Sequence, residues 1–201
     1  MRNINYESEE RQNIFPLHYC LGAQKSDYVK QILEILQNQI KDRNEFINRK
    51  DEYGYTPMHI FAVCNGQSPQ YIVNAQYLKE QGADLNAKDN EGNTPLHLWA
   101  KRNGELSEQM TNSPIELIRE APEYHIKFSM PFLGWMLLNG YDTNARNHNG
   151  FTALGLLKQV TPTANIDEDT LKRAYINWEK TERYRNSNHT NEQEKGCCIM
   201  M

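Results

Sequence analysis

What this sequence lacks narrows it first. No stretch reaches the roughly 18 consecutive apolar residues that a membrane-spanning helix requires. The 4 cysteines form no Cys-x-x-Cys pair: Cys20 and Cys64 stand far apart in apolar segments, and Cys197 and Cys198 adjoin near the C-terminus. Neither a zinc ribbon nor a disulfide framework is indicated. Basic charge is short as well, with 22 Lys and Arg against 26 Asp and Glu, for a net charge of -4. Such a chain carries no global field toward nucleic acid or an anionic membrane. The opening Met1-Arg-Asn-Ile-Asn-Tyr-Glu is polar, unlike a secretory signal, so the expected setting is a cytosol. No phosphate-binding glycine loop, dinucleotide fingerprint, nucleophile elbow, zinc-protease helix or kinase signature occurs.

Apolar residues are also scarce. They make up 38% of the 201 residues, 24% are charged, and the mean hydropathy is -0.81. A deep spherical core is disfavoured by that supply, whereas an elongated body with a narrow apolar seam, built from repeats, needs less.

The repeats are visible. Asp51-Glu-Tyr-Gly54-Tyr-Thr56-Pro57-Met58-His59 returns as Asp89-Asn-Glu-Gly92-Asn-Thr94-Pro95-Leu96-His97, an offset of 38 residues. A third copy, Asn147-His-Asn-Gly150-Phe-Thr152-Ala153-Leu154, follows 58 residues later, and Phe15-Pro16-Leu17-His18 is an earlier partial one. The second halves recur too: Gln81-Gly82-Ala83-Asp84-Leu85-Asn86 is matched by Asn139-Gly140-Tyr141-Asp142-Thr143-Asn144, with Phe46-Ile47-Asn48 as a weaker version. Gly54, Gly92 and Gly150 sit where a tight hairpin turn demands positive φ. Thr56 and Thr94 are placed to cap a helix whose first position is Pro57 or Pro95, and Gly82 and Gly140 to terminate an apolar helical run.

Together these motifs resemble the ankyrin repeat, over roughly residues 10 to 160. The resemblance implies an all-α solenoid of about four hairpin–helix–helix units, at about 10–50, 51–88, 89–146 and 147–165, after an N-terminal extension over 1–9. Large Phe61 and Trp99 replace the usual small residues of the short helices, which are expected to end near Asn65-Gly66 and Asn103-Gly104. The third unit is longer by about 20 residues, an insertion over about 105–131 in which Ser113-Pro114-Ile115-Glu116 reads as the start of an extra helix. Leu171, Ala174, Tyr175 and Trp178 share one face of a capping helix expected over 166–185. Residues 186–201 read as a flexible tail.

That tail ends Cys198-Ile199-Met200-Met201, the C-a-a-X pattern of prenylation, with methionine favouring farnesyl and Cys197 a palmitoylation candidate. Two lipid signals are what stable anchoring takes.

Catalytic chemistry is not expected. His18, His59 and His97 recur at one structural position, which marks packing and hydrogen bonding between neighbouring hairpins rather than metal ligation. His125, His148 and His189 lack partners at metal spacing. No cofactor is implied. The resemblance implies instead a concave protein-binding face formed by Glu52, Tyr53, Tyr55, Val63, Cys64, Asn90, Glu91, Asn93, Lys101, Arg102, His148, Asn149 and Phe151. Its aromatics are the expected anchors. The resulting expectation is a monomeric adaptor that captures a partner protein at the cytosolic face of a membrane, lipidated by a prenyltransferase. It resembles small ankyrin effectors secreted by intracellular bacteria such as Legionella; 22 asparagines fit an AT-rich genome. Two alternatives stay open: the insertion recruits or carries an enzymatic activity, or the protein is a soluble, unmodified binder. Glu105, Glu108, Glu116, Arg119, Glu123 and His125 are too generic to define a catalytic cluster.

Overall fold

The computed structural model describes residues 17–18, 31, 34, 42–63, 69–111, 132–160, 169, 172–173, 175–177 and 179–180. They are mostly helical. In chain order the helices are α1 (Arg43–Ile47), α2 (Pro57–Val63), α3 (Pro69–Glu80), α4 (Pro95–Thr111), α5 (132–138) and α6 (Ala153–Val160). Residues 172–173, 175–177 and 179–180 are helical as well. Among the described residues there is no strand, only an isolated bridge between Arg146 and Thr152.

Between helices the chain makes three turns with the same internal wiring. Asp51 Oδ1 accepts from the Tyr53 and Tyr55 amides at 2.9 and 2.8 Å, and the Gly54 amide donates to the Asp51 carbonyl. Asp89 does the same for Glu91, Asn93 and Gly92, and Asn147 for Asn149, Phe151 and Gly150. Only one side-chain oxygen is needed, so Asn147 serves where the other turns have Asp. Each glycine takes the left-handed conformation, with φ +80, +76 and +79°.

Neighbouring turns are then laced together. The Asn90 amide donates to the Tyr53 carbonyl and the His148 amide to the Glu91 carbonyl, both at 3.0 Å. At the foot of the turns, the Asn48 amide group donates to the Gly82 carbonyl while its oxygen accepts from the Asp84 N–H; Asn86 repeats this with Gly140 and Asp142. Lys50 Nζ donates to the Lys88 carbonyl and Lys88 Nζ to that of Arg146. The same bonds form across offsets of 34–38 and 54–58 residues, so the extra length of the third segment leaves this lacing intact.

Helix ends follow from the same residues, with one difference from expectation. Gly82 closes α3 with a paired exit, its N–H on the Lys79 carbonyl and the Ala83 N–H on that of Leu78. The hydroxyls of Thr56 and Thr94, however, do not cap through a helix N–H; each sits 2.9 Å from a histidine Nδ1. The direct cap lies at Thr152, whose Oγ1 accepts from the Gly155 amide at 3.1 Å, because Gly155 has no ring to claim it.

A second correction concerns α4. Its expected stop near Asn103-Gly104 is absent, and the helix runs on to Thr111. Asn103 is fully buried and its amide donates to the Trp99 carbonyl one turn back, so the Asn-Gly pair lies within a packed helix and does not terminate it. The insertion therefore begins as a continuation of α4 over 105–111. The helix expected from Ser113 onward lies outside the described residues.

Apolar packing follows the seam foreseen from composition. α4 packs between α2 and α6, and α3 packs on α2. Met58, Phe61, Leu78, Leu96, Trp99, Leu133, Trp135, Met136 and Leu157 are at most 1% exposed. The large Phe61 meets Phe132 edge-on at 5.6 Å, and Phe132 stacks on Trp135 at 5.8 Å. Tyr175 packs against this cluster; Leu171, Ala174 and Trp178 of the expected capping face lie outside the described residues.

Glycine substitutions separate turn strain from turn stacking. A Cβ on Gly92 would lie 2.6 Å from the His148 ring, whereas among the described residues nothing comes within 4 Å of one on Gly150. Gly150→Ala should cost about 1–2 kcal/mol from its backbone alone, and Gly92→Ala clearly more. Urea denaturation midpoints measure the difference.

Candidate protein-binding face

The histidines were the sequence's most conspicuous titratable residues, and their geometry assigns them a structural role. His18 Nε2 lies 2.7 Å from the Tyr55 carbonyl, His59 Nε2 3.1 Å from that of Asn93, and His97 Nε2 2.9 Å from that of Phe151. At the other edge of the ring, His59 Nδ1 accepts the Thr56 N–H at 3.1 Å and His97 Nδ1 the Thr94 N–H at 3.2 Å. A backbone N–H only donates and a carbonyl only accepts, so these two rings carry their proton on Nε2 and are neutral. Each performs the reach-back half of a capping box and at the same time grips the next turn. Burial pushes the His59 pKa from 6.5 down to about 4, and burial lowers that of His97 too.

Among the described residues no group of three or more His, Cys, Asp or Glu is placed to hold a metal ion. An open polar depression of about 590 Å³ at the foot of the turns is lined by the lacing residues, Asn48, Lys50, Asn86 and Lys88 among them.

The expected binding residues divide by exposure. Glu52, Asn90, Glu91, His148, Asn149 and Phe151 are exposed along the tips of the three turns, and Lys101 on α4. Tyr53, Tyr55, Val63 and Arg102 are half-buried. Tyr55 stacks on His59 at 5.8 Å and lies 6.0 Å from Tyr53, so these two aromatics are braced before any partner arrives. Asn93 is a correction: it is 4% exposed, its amide bonded to Asp89 and its oxygen to Asn147, and it faces inward because the turn needs it there. Cys64, like Cys20, Cys197 and Cys198, lies outside the described residues.

Sequence reasoning missed the lacing roles of Asn48, Asn86, Lys50 and Lys88. Their signal was the recurrence of Asn-x-Lys immediately before Asp51 and Asp89, readable as a repeat but not as a bond to the next unit.

Three turns wired alike, each gripped by the histidine of the unit before, are what a hairpin-and-helix repeat requires. The sequence model of the ankyrin-repeat family matches residues 53–90. The chain thus contains an ankyrin repeat, a unit that mediates protein binding, from inside the first described turn to the tip of the second. A comparison with curated proteins finds no match.

The neutral histidines make folding acid-sensitive. In the unfolded chain His59 takes up its proton near pH 6.5, and in the folded one only near pH 4. Between these values the unfolded state binds more protons, so stability is full above pH 6.5 and falls as the pH drops. The shift corresponds to about 3 kcal/mol. Urea denaturation from pH 7.5 to 4.5 should show this loss, and His148→Gln, at an exposed histidine, should retain it.

Proposed function

We propose that the matched unit is one of about four in a continuous solenoid over residues 10–165, and that the protein is a non-catalytic adaptor holding a partner protein on the face of its turn tips and short helices. The observation that carries this reading is the wiring on both sides of the match: His18 grips the turn at 51–54 from before it, and His97 grips the turn at 147–150 beyond it. This wiring supports units that continue outside residues 53–90 with divergent sequences.

On that face Lys101 and Arg102 have the clearest recognition role. Over residues 95–104 of α4, 95–100 and 103–104 are buried, while Lys101 is exposed and Arg102 half-buried. Charge there adds nothing to the core. Reversing both, Lys101→Glu with Arg102→Glu, should cut capture of the partner in a pull-down by about tenfold or more, with the unfolding midpoint unchanged. Full retention would place binding elsewhere, the insertion being the alternative.

The finer reading concerns Cys198-Ile199-Met200-Met201. Prenylation of Cys198 by a host prenyltransferase, with palmitoylation of Cys197, would hold the adaptor at the cytosolic face of a membrane, as for a bacterial effector inside a host cell. High local concentration of the captured partner is the gain. A tagged Cys198→Ser protein expressed in eukaryotic cells should shift from membranes to cytosol; an unchanged membrane fraction overturns the lipid anchor.

A further inference from the structure

The lacing between units has an open end. Both junctions described above carry the same four links: an asparagine clamp at the foot, a lysine ammonium beside it, a tip amide on a tip carbonyl, and a histidine on the carbonyl after the tip glycine. The 58-residue offset locates the counterparts of the second unit's groups in the last one. Asn144 stands for Asn86, Arg146 for Lys88, Asn149 for Glu91, Phe151 for Asn93 and Gly155 for His97.

Two of the four links are lost there. Gly155 has no ring, and Arg146 folds onto its own turn, Nη1 donating to the Gly150 carbonyl at 2.6 Å. The other two are still presented. Asn144 is exposed, its backbone N–H held by Asp142 as that of Asn86 is held by Asp84, and among the described residues nothing bonds its side-chain amide. The Asn149 carbonyl is likewise without a partner among them. Asn93 reaches the following turn at Asn147, and in its place the last unit has Phe151, 41% exposed.

The two occupied junctions specify what an open clamp accepts. In each, Nδ2 donates at 2.9 Å to the carbonyl of Gly82 or Gly140, and Oδ1 takes the N–H of the aspartate two residues on, at 2.7 or 2.8 Å. Both glycines have left-handed backbones, φ +95 and +93°, just past the ends of α3 and α5. The middle residue, Ala83 or Tyr141, is buried. One side chain thus reads a carbonyl and an N–H of a single corner, the spacing found where a glycine ends a helix. A second copy of this chain has no such corner to offer: its only Gly-x-Asp segments are 82–84 and 140–142, and both are already held.

We propose that the last turn docks a helix-ending Gly-x-Asp corner, x being apolar, from a different protein. Asn144 clamps the corner's backbone, the Asn149 carbonyl accepts an N–H of the turn that follows it, and Phe151 lies against that turn. Unpaired groups at the edge of a regular array are a template for pairing with another chain. With two links in place of four, the docking is reversible. This surface is the end of the stack, separate from the face that carries Lys101 and Arg102.

Thermal melts test whether the clamp is open. Asn144→Ala should leave the midpoint where it is, whereas Asn86→Ala, at an occupied clamp, should lower it; an equal drop for both means that Asn144 is held within the molecule and overturns the proposal. The binding probe is acetyl-Gln-Tyr-Leu-Lys-Glu-Gln-Gly-Ala-Asp-Leu-Asn-amide, a copy of residues 76–86, titrated into the full chain labelled for NMR. Shifts should concentrate at the Asn144 side-chain amide and residues 149–151. Asn144→Ala in the protein, or proline for aspartate in the peptide, which removes its N–H, should each weaken binding by about fivefold. Lys101→Glu with Arg102→Glu should leave it unchanged. No shifts at millimolar peptide, shifts confined to other residues, or equal binding of the aspartate and proline peptides sinks the docking site. Self-association of the chain that Asn144→Ala abolishes would make the occupant a second copy and overturn the assignment to a different protein.

Discussion

One contact makes the rest of the architecture possible: a neutral imidazole that accepts a hydrogen bond from the turn it follows and donates one to the turn that comes next. Hairpin tips this small enclose too little apolar surface to hold themselves in place. The ring supplies a rigid spacer with a donor and an acceptor on opposite edges, within a site where each bond would be costly to leave unmade. Because His59 is fully buried, the tautomer that satisfies both edges is the one the site favours.

The other links add direction. Asparagine side chains at the foot of the turns and lysine ammonium groups beside them donate forward in the chain, each unit to the next, while backbone amides at the tips donate back to the unit before. No bond of these types among the described residues skips a unit. Stability of this kind is a sum of local terms and boundary terms, as in other repeat architectures. It explains how the chain tolerates a segment about 20 residues longer between its second and third turns: the lacing bonds on either side of it are the same as those across the shorter segment.

Legibility of the sequence followed the same division. Turns were readable because glycine at positive φ and Asp or Asn two residues before the tip amide admit few substitutes, and three copies were present. Helix existence was readable from Pro57 and Pro95, but the length of α4 was not. Asn103-Gly104 looks like a stop, and only the burial of both residues against neighbouring helices makes it an interior pair. Asn93 misled for a related reason: it occupies a tip position in sequence, yet its amide completes the hydrogen bonding of Asp89, which no periodicity reveals. The exposed set, Glu52, Glu91, Lys101 and Phe151, was found by register alone.

At Gly155 the histidine column stops. That unit is gripped from behind by His97 but offers no ring of its own, and nothing among the described residues lies over Gly150. Mechanically, the molecule resembles a zip with a defined pull-tab. Within each boundary the imidazole, amide and ammonium bonds share a load in parallel, but successive boundaries bear it in series. Tension applied from the C-terminal side would first lift Tyr175 from the core cluster, then peel units one at a time from the boundary between the turns at 147–150 and 89–92, and would leave the earlier units paired. A protein restrained through that end could yield stepwise under strain and re-form by the same steps once the strain is relieved.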